Sequence, residues 1–349
     1  MKRASFPFEV LTPAIAGGAQ PKQRAEIRPS SIRGQLRWWF RVLGGFQAQS
    51  GSVRAREAEV FGSIADGQPA ASKLVVRVCN APASTAPQTM QDLKVAPFSD
   101  KGYLLWPLQE TKTAGKANAR ATIAPGSKFE LQILWKGAPE LWPGIEALVS
   151  VFANLGSLGF RGRRAMGALA GVSTLPLQSA LSLFASPAHI SIKALDASNS
   201  DNALSSLGGW LKSWRAYGRT GQNDAEQDMP GFERAKSDHD LGAALLFGNQ
   251  PRPQAIYRAA LGLPLNQRFQ GGSLDWKPLN SGRFASPVLL RPHRTPTGQW
   301  KALVIFIHKH EWPQGEQVTA GRGRTVPVSA DLLKAMQADP RLNPFPLTH

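Results

Sequence analysis

Apolar and polar residues alternate over residues 6–11, 73–79 and 129–135, and a period of two bounded by turn-forming residues predicts three strands. Between the first two the period changes. Ile32, Leu36, Trp39 and Leu43 recur at helical spacing, so the segment from Arg28 to Gly45 is predicted to form a helix with one buried face. Ser30 or Ser31 is placed to accept a hydrogen bond from the free N–H groups of the first turn, and Gly44-Gly45 supplies the left-handed residue that ends the helix. Leu141, Ile145, Leu148, Val149 and Phe152 repeat the helical period over 140–155, and residues 168–175 return as a strand. The order βαββαβ predicts an α+β, ferredoxin-like unit, a four-stranded antiparallel sheet with both helices on one face. Residues 80–127 are rich in Ala, Pro, Thr, Lys and Gly with one apolar piece at 103–108, and are expected to be an extended, partly ordered insertion.

A boundary is expected near 178–188. Beyond it the pattern predicts strands at 189–195, 255–261, 287–291 and 302–309 and helices at 203–217, ending at Gly218, and at 330–337. Residues 219–240 are polar and are expected to be loop. A degraded second copy of the same unit fits this order. The chain is therefore expected to hold two tandem ferredoxin-like (RRM-like) domains, 1–180 with the insertion at about 80–127, and 187–349.

Charge narrows the partners. The 349 residues carry 41 Lys and Arg against 24 Asp and Glu, a formal charge of +17. Such an excess points to a polyanion. The arginines are spread over separate segments between glycines and aromatics, which favours nucleic acid over a membrane surface. No stretch is apolar for long enough to span a bilayer, and Pro7 and Glu9 interrupt the run that a signal peptide needs, so a cytoplasmic location is expected. Cys79 is the sole cysteine, which excludes intramolecular disulfides and multi-cysteine zinc sites.

Arg33, Arg37 and Arg41, four apart, share one face of the first helix beside Phe40. Such a stripe repels itself unless an anion arrives or carboxylates elsewhere pair with it, and acidic residues look too scarce for the second. Trp38, on the flank of that helix, is the candidate for stacking on a base. Gly156, Gly159, Gly162 and Gly167 surround Arg161, Arg163 and Arg164. Glycines there would let backbone N–H groups approach an anion, with arginine forks on phosphate oxygens, or would merely make tight turns. The spacing of a nucleotide P-loop is absent. All six histidines, at 189, 239, 293, 308, 310 and 349, lie in the second half. His308 and His310 alternate along a predicted strand without an apparent third metal ligand, and Asp238-His239-Asp240 reads as a solvated cluster. No nucleophile elbow, paired-carboxylate motif or HExxH appears.

These residues resemble a known family. Leu11-Thr-Pro13, Gly17-Gly18, the run from Glu26 to Arg41 and the later Gly156 to Gly167 are similar to motifs of the RAMP superfamily of CRISPR proteins, and within it of the first-named RAMP subunits of type III-B (Cmr) effector complexes. Residues 246–248 and 284–294 also resemble that family's second half. Ala165-Met166 stands where relatives often show Gly-Phe, while Arg161, Arg163, Arg164 and Gly167 keep their places. The resemblance implies two ferredoxin-like domains in tandem and a place at one end of the Cmr filament. It also implies contact with the 3′ region of the guide RNA, with target RNA as a further candidate and other RAMP subunits as neighbours. The expected RNA contacts are Gly17, Gly18, Arg28, Arg33, Arg37, Trp38, Arg41, Gly156, Gly159, Arg161, Gly162, Arg163, Arg164 and Gly167, with no catalytic residue, metal or cofactor. The alternative is a Cas6-like RAMP endoribonuclease that processes precursor CRISPR RNA. Such nucleases commonly use an early histidine, and here the first is His189.

Overall fold

Strands β1 (Lys2–Val10), β2 (Leu74–Cys79) and β3 (Lys128–Trp135) form where the alternation predicts them and pair antiparallel, with Trp135 opposite both Lys2 and Leu74. Short β4 (Leu169–Gly171) joins the free side of β1, giving the order β2-β3-β1-β4. Alternation sends Phe6 and Phe8 of β1, and Phe129, Leu131, Ile133 and Trp135 of β3, into the core. Phe8 stacks on its cross-strand partner Phe129 with ring centroids 5.3 Å apart.

The computed structural model describes every residue except 21, 66–67, 111–117, 172–174, 216, 218–226, 249–254, 280–281, 309–314, 321–324 and 347–349. The chain divides into two compact units. Unit 1 comprises Met1–Leu207, Leu289–Ile305 and Pro344–His349, and unit 2 comprises Gly208–Val288 and Phe306–Asn343.

Helix α1 (Pro29–Val42) buries Ile32, Leu36 and Trp39 as its period predicts, and also Phe40. Phe40 does not lie beside the guanidinium groups in water; it meets Phe46 and Phe61 edge-on at 4.9 and 5.6 Å. Neither Ser30 nor Ser31 caps the helix. Pro29, with its fixed φ, starts the first turn, so Arg28 is the capping residue and no side chain closes that turn. The far end follows expectation, with Gly44 at φ +80° and the Gly45 N–H donating to Phe40 O at 2.9 Å. A helix without a strong periodic signal follows, α2 (Val53–Phe61), capped by Ser52. The insertion is better packed than its composition suggests. Met90, Leu104, Leu105, Leu108 and Ile123 are buried, and α3 (Asp100–Leu105) starts at Ser99, whose hydroxyl accepts from the Gly102 N–H. Helix α4 (Trp142–Leu155) then runs into the glycine-rich loop.

Later elements repeat the first pattern. Strand β5 (Ile190–Ala197) is followed by helices α5 (Ser200–Arg215) and α6 (Phe232–Phe247) and by the hairpin β6 (Leu265–Phe269) and β7 (Gly272–Pro278). Then come β8 (Val288–Arg294), β9 (Trp300–Ile307), β10 (Gln317–Thr319), β11 (Thr325–Pro327), helix α7 (Asp331–Gln337) and β12 (Asn343–Pro344). The order β8-β9-β5-β12 matches that of the first sheet, and a further sheet runs β11-β10-β7-β6. The fold is thus mixed α and β with antiparallel sheets.

Two expectations fail here. Residues 232–240 belong to α6 and are not loop, because Asp238 is fully buried and its carboxylate accepts from the backbone N–H groups of Tyr257 (2.7 Å) and Arg258 (2.8 Å) and from the Arg258 guanidinium (3.1 Å). That capping also turns the expected strand at 255–261 into the 3-10 helix Arg258–Leu261. Gly218, Lys309 and His310 lie outside the described residues. Among the described residues, no helix is long and apolar enough to cross a membrane.

Unit 2 has a polar hub at Asp339, only 3% exposed, which accepts from the indole N–H groups of Trp210 and Trp214, both at 2.9 Å, and from Arg341 at 2.6 Å. Burial pushes this carboxyl up, but the hydrogen bonds from Arg341 and Trp214 outweigh it and hold it at about 2. A folded pKa below the unfolded value of about 3.9 stabilises the protein above pH 4, and this contribution fades as pH falls from about 4 to 2. Asp339→Asn is therefore expected to cost about 2 kcal/mol at pH 6. Urea unfolding of the two proteins at pH 6, 4 and 3 checks this; a gap that fails to narrow toward low pH would refute it.

Candidate nucleic-acid interface

The three arginines of α1 do share a face, but their charge is met within the chain. Glu57 of α2, 5% exposed, is clamped by Arg37 through Nε and by Arg41 through Nε and Nη2, the last at 2.6 Å. Burial pushes the Glu57 carboxyl up, yet the hydrogen bonds from Arg41 and Arg37 prevail and hold it below its ordinary range. Scarcity of acids was thus a poor guide, because one carboxylate with two oxygens serves two guanidinium forks. The stripe keeps a surplus of positive charge, and Arg37 and Arg41 remain 39% and 52% exposed. Arg33 donates to the Phe61 carbonyl and ties α1 to the end of α2.

The loop after α4 uses its glycines for close packing of backbone on backbone. At Gly159, φ is +81° and a Cβ would sit 2.3 Å from Ile15 O; at Gly167, φ is +65° and a Cβ would sit 2.0 Å from Leu158 O. The loop's N–H groups are largely spent internally: Leu158 donates to Gly167 O, Phe160 to Ile15 O, Ala165 to Leu290 O and Gly167 to Pro13 O. Those four N–H groups are therefore not available to an anion. Ser157 Oγ donates to Gly162 O at 3.0 Å, and Thr12 Oγ1 donates to Ala165 O at 2.8 Å. Arg161 grips the Leu104 carbonyl of α3 at 2.6 Å, which anchors the insertion, and Arg164 is buried with Nη1 on Arg163 O.

Arg163 joins the two motifs. Its guanidinium lies 4.8 Å from the centroid of Trp38, so the loop and α1 present one surface. Burial draws the Arg163 guanidinium below its ordinary value. Trp38, the stacking candidate, therefore already carries an arginine on its ring.

A second junction lies at the start of α1, where a cavity of about 380 Å³ is lined by Gly17, Glu26, Arg28, Arg120, Gly159 and Phe160, among others. Gly18 makes room for Glu26, since a Cβ there would fall 2.0 Å from Glu26 Oε2. Gly156 lies further back, its carbonyl held by Arg291 Nε at 2.9 Å. Sequence reasoning missed Glu57, Arg120, Phe160 and Arg291. Arg291 left a trace as a charge at the end of the expected strand 287–291, and Phe160 lay within the 156–167 motif. Of the histidines, His189 Nδ1 lies 3.0 Å from Val42 O and His308 Nε2 3.3 Å from Gln337, while His310 and His349 lie outside the described residues. No three His, Cys, Asp or Glu side chains gather as a metal site among the described residues.

Comparison with known proteins agrees with the motifs. Residues 7–170 match the model of the RAMP superfamily. The chain is 30% identical over 179 residues to the CRISPR system Cmr subunit Cmr1-1 of Pyrococcus furiosus, covering 47% of this chain and 46% of that protein. It is 26% identical over 194 residues to Cmr1-2 of the same organism, covering 48% of this chain and 95% of that protein. The match thus spans about half the length of the first of these relatives. The crystal structure of apo Cmr1 from Pyrococcus furiosus shares the fold, with a TM-score of 0.57 at 17% identity over 97% of both chains. With the arginine helix and the glycine-rich loop inside the matched segment, residues 7–170 are similar to the RAMP superfamily, and about half of the chain is similar to the Cmr1 subunits of CRISPR systems.

Proposed function

We propose that this protein is a non-catalytic, RNA-binding subunit of a type III-B CRISPR effector complex, working in the cytoplasm in antiviral defence. The carrying observation is the contact of Arg163 with Trp38, which makes one basic surface of α1 and the 156–167 loop. The excess charge of +17 supports a polyanionic partner, and the homology to Cmr1 subunits supports guide RNA as that partner. In this reading the surface engages the 3′ region of the guide, with target RNA as a second ligand and neighbouring RAMP subunits docked alongside. Arg28, Arg33, Arg37, Arg41, Arg161, Arg163 and Arg164 supply or position the phosphate-binding charge. Gly17, Gly18, Gly156, Gly159, Gly162 and Gly167 hold the backbone that carries it. The repeated strand order supports two tandem ferredoxin-like domains, 1–180 and 187–349.

Binding through phosphates should fall steeply with salt, with a slope of about −0.7 per phosphate neutralised on a single strand. Fluorescence anisotropy with labelled single-stranded RNA between 50 and 300 mM salt measures it; a flat profile, or unchanged binding by both Arg37→Ala and Arg163→Ala, would sink the assignment.

Glu57→Gln removes the one negative charge between Arg37 and Arg41. It is expected to strengthen RNA binding and steepen the salt slope by about 0.7, read in the same titration. Weaker binding by a folded variant would mean that the clamp positions these arginines and does not merely mask them.

The purified chain is expected to leave a cognate repeat RNA intact with or without divalent metal. Specific cleavage abolished by one substitution would instead support the Cas6-like reading.

A further inference from the structure

We propose that the cavity at the start of α1 holds one nucleotide of the RNA, its base stacked on Phe160 and its edge read by Glu26, with Arg28 and Arg120 facing the phosphates. This rests on the RNA-binding reading above and adds a base-recognising site to it.

Phe160 is the first reason. It is 50% exposed, whereas Phe6 and Phe8 of the adjoining sheet are 3% and 2% exposed. An aromatic ring left in water forgoes its burial free energy. The loop cannot easily withdraw it. Its N–H donates to Ile15 O at 2.8 Å, and the preceding Gly159 sits at φ +81° with no room for a Cβ. Every base has a π-face that such a ring can stack on.

Glu26 is the second. Its backbone N–H is fixed on Ala16 O at 2.6 Å, and its carboxyl group lies over Gly18, where any larger residue would collide with it. A carboxylate in a basic cavity opposes a bare phosphate. It accepts well from the paired N–H groups on the edge of a base. Guanine offers two adjacent donors, N1–H and the exocyclic amine; uracil offers one N–H between two carbonyl oxygens. Guanine is therefore favoured over uracil.

The third reason is size and charge together. A cavity of about 380 Å³ falls within the range of small-ligand pockets, and its wall combines the buried Ile15, the ring, the carboxylate and two arginines. That set matches the base, base edge and phosphate of a nucleotide.

The test uses the full chain and two fluorescein-labelled RNA 12-mers, all-uridine and alternating guanosine-uridine, in anisotropy titrations. The wild type is expected to bind the alternating strand about tenfold more tightly. Glu26→Gln should abolish that preference without weakening all-uridine binding, since it removes a negative charge that opposes phosphate. Phe160→Ala should weaken the alternating strand about tenfold with an unchanged salt slope, and Phe160→Tyr should restore it. Equal binding of both strands by the wild type, or wild-type affinity in Phe160→Ala, overturns the pocket and leaves the basic-surface reading standing. No binding of either strand at low salt overturns that reading and the pocket with it.

Discussion

Both ends of the glycine-rich loop hang from one buried guanidinium. Arg291 donates to Gly156 O at 2.9 Å, to Ala153 O at 2.7 Å and to Leu169 O, so it gathers the end of α4 and the start of β4 on a single planar group. No carboxylate is among those partners; the cation is met by carbonyls, two of them at a helix C-terminus where the backbone dipole is negative. Burial pushes its pKa down to about 9, which still leaves it charged at neutral pH. Replacing it would orphan three buried carbonyls at once. The placement of Phe160, Arg161 and Arg163 follows from this clamp, because the loop between its two fixed ends has little freedom left.

Legibility in the sequence tracked how far local period decides the outcome. Strands β1 to β3 and helix α1 were readable because each has one face against a core, and α4 because its apolar residues are dense at helical spacing although it is buried on nearly every side. Helix α6 was not, since its polar run hides a carboxylate that caps a distant turn, and no local signal reports a partner 19 residues away. The insertion misled for a related reason: several of its apolar residues, Met90, Leu104 and Leu108 among them, are buried, so a poor composition still packs.

Within the site, the arginine spacing and the glycines pointed to the right segments and suggested the wrong use for some of them. Gly159 and Gly167 serve close backbone packing, and several of the N–H groups expected to cradle an anion, those of Leu158, Phe160, Ala165 and Gly167 among them, are bound to carbonyls. Glu57 and Phe160 could not be chosen from sequence. An acid four residues into a helix and an aromatic beside a glycine are ordinary until the fold shows that one is buried and the other is not.

The clamp of Arg37 and Arg41 on Glu57 also bears on how this protein can drift over generations. Two planar forks fit around one carboxylate because each reaches it with fixed, directed N–H groups, and Arg41 uses two of them. A lysine at either position keeps the charge but brings a single strongly hydrated ammonium to a site with only two oxygens to share. Some arginine codons lie one base from a lysine codon, yet at these positions that short step is closed by geometry. A compensating change would have to arise on the other helix at the same time.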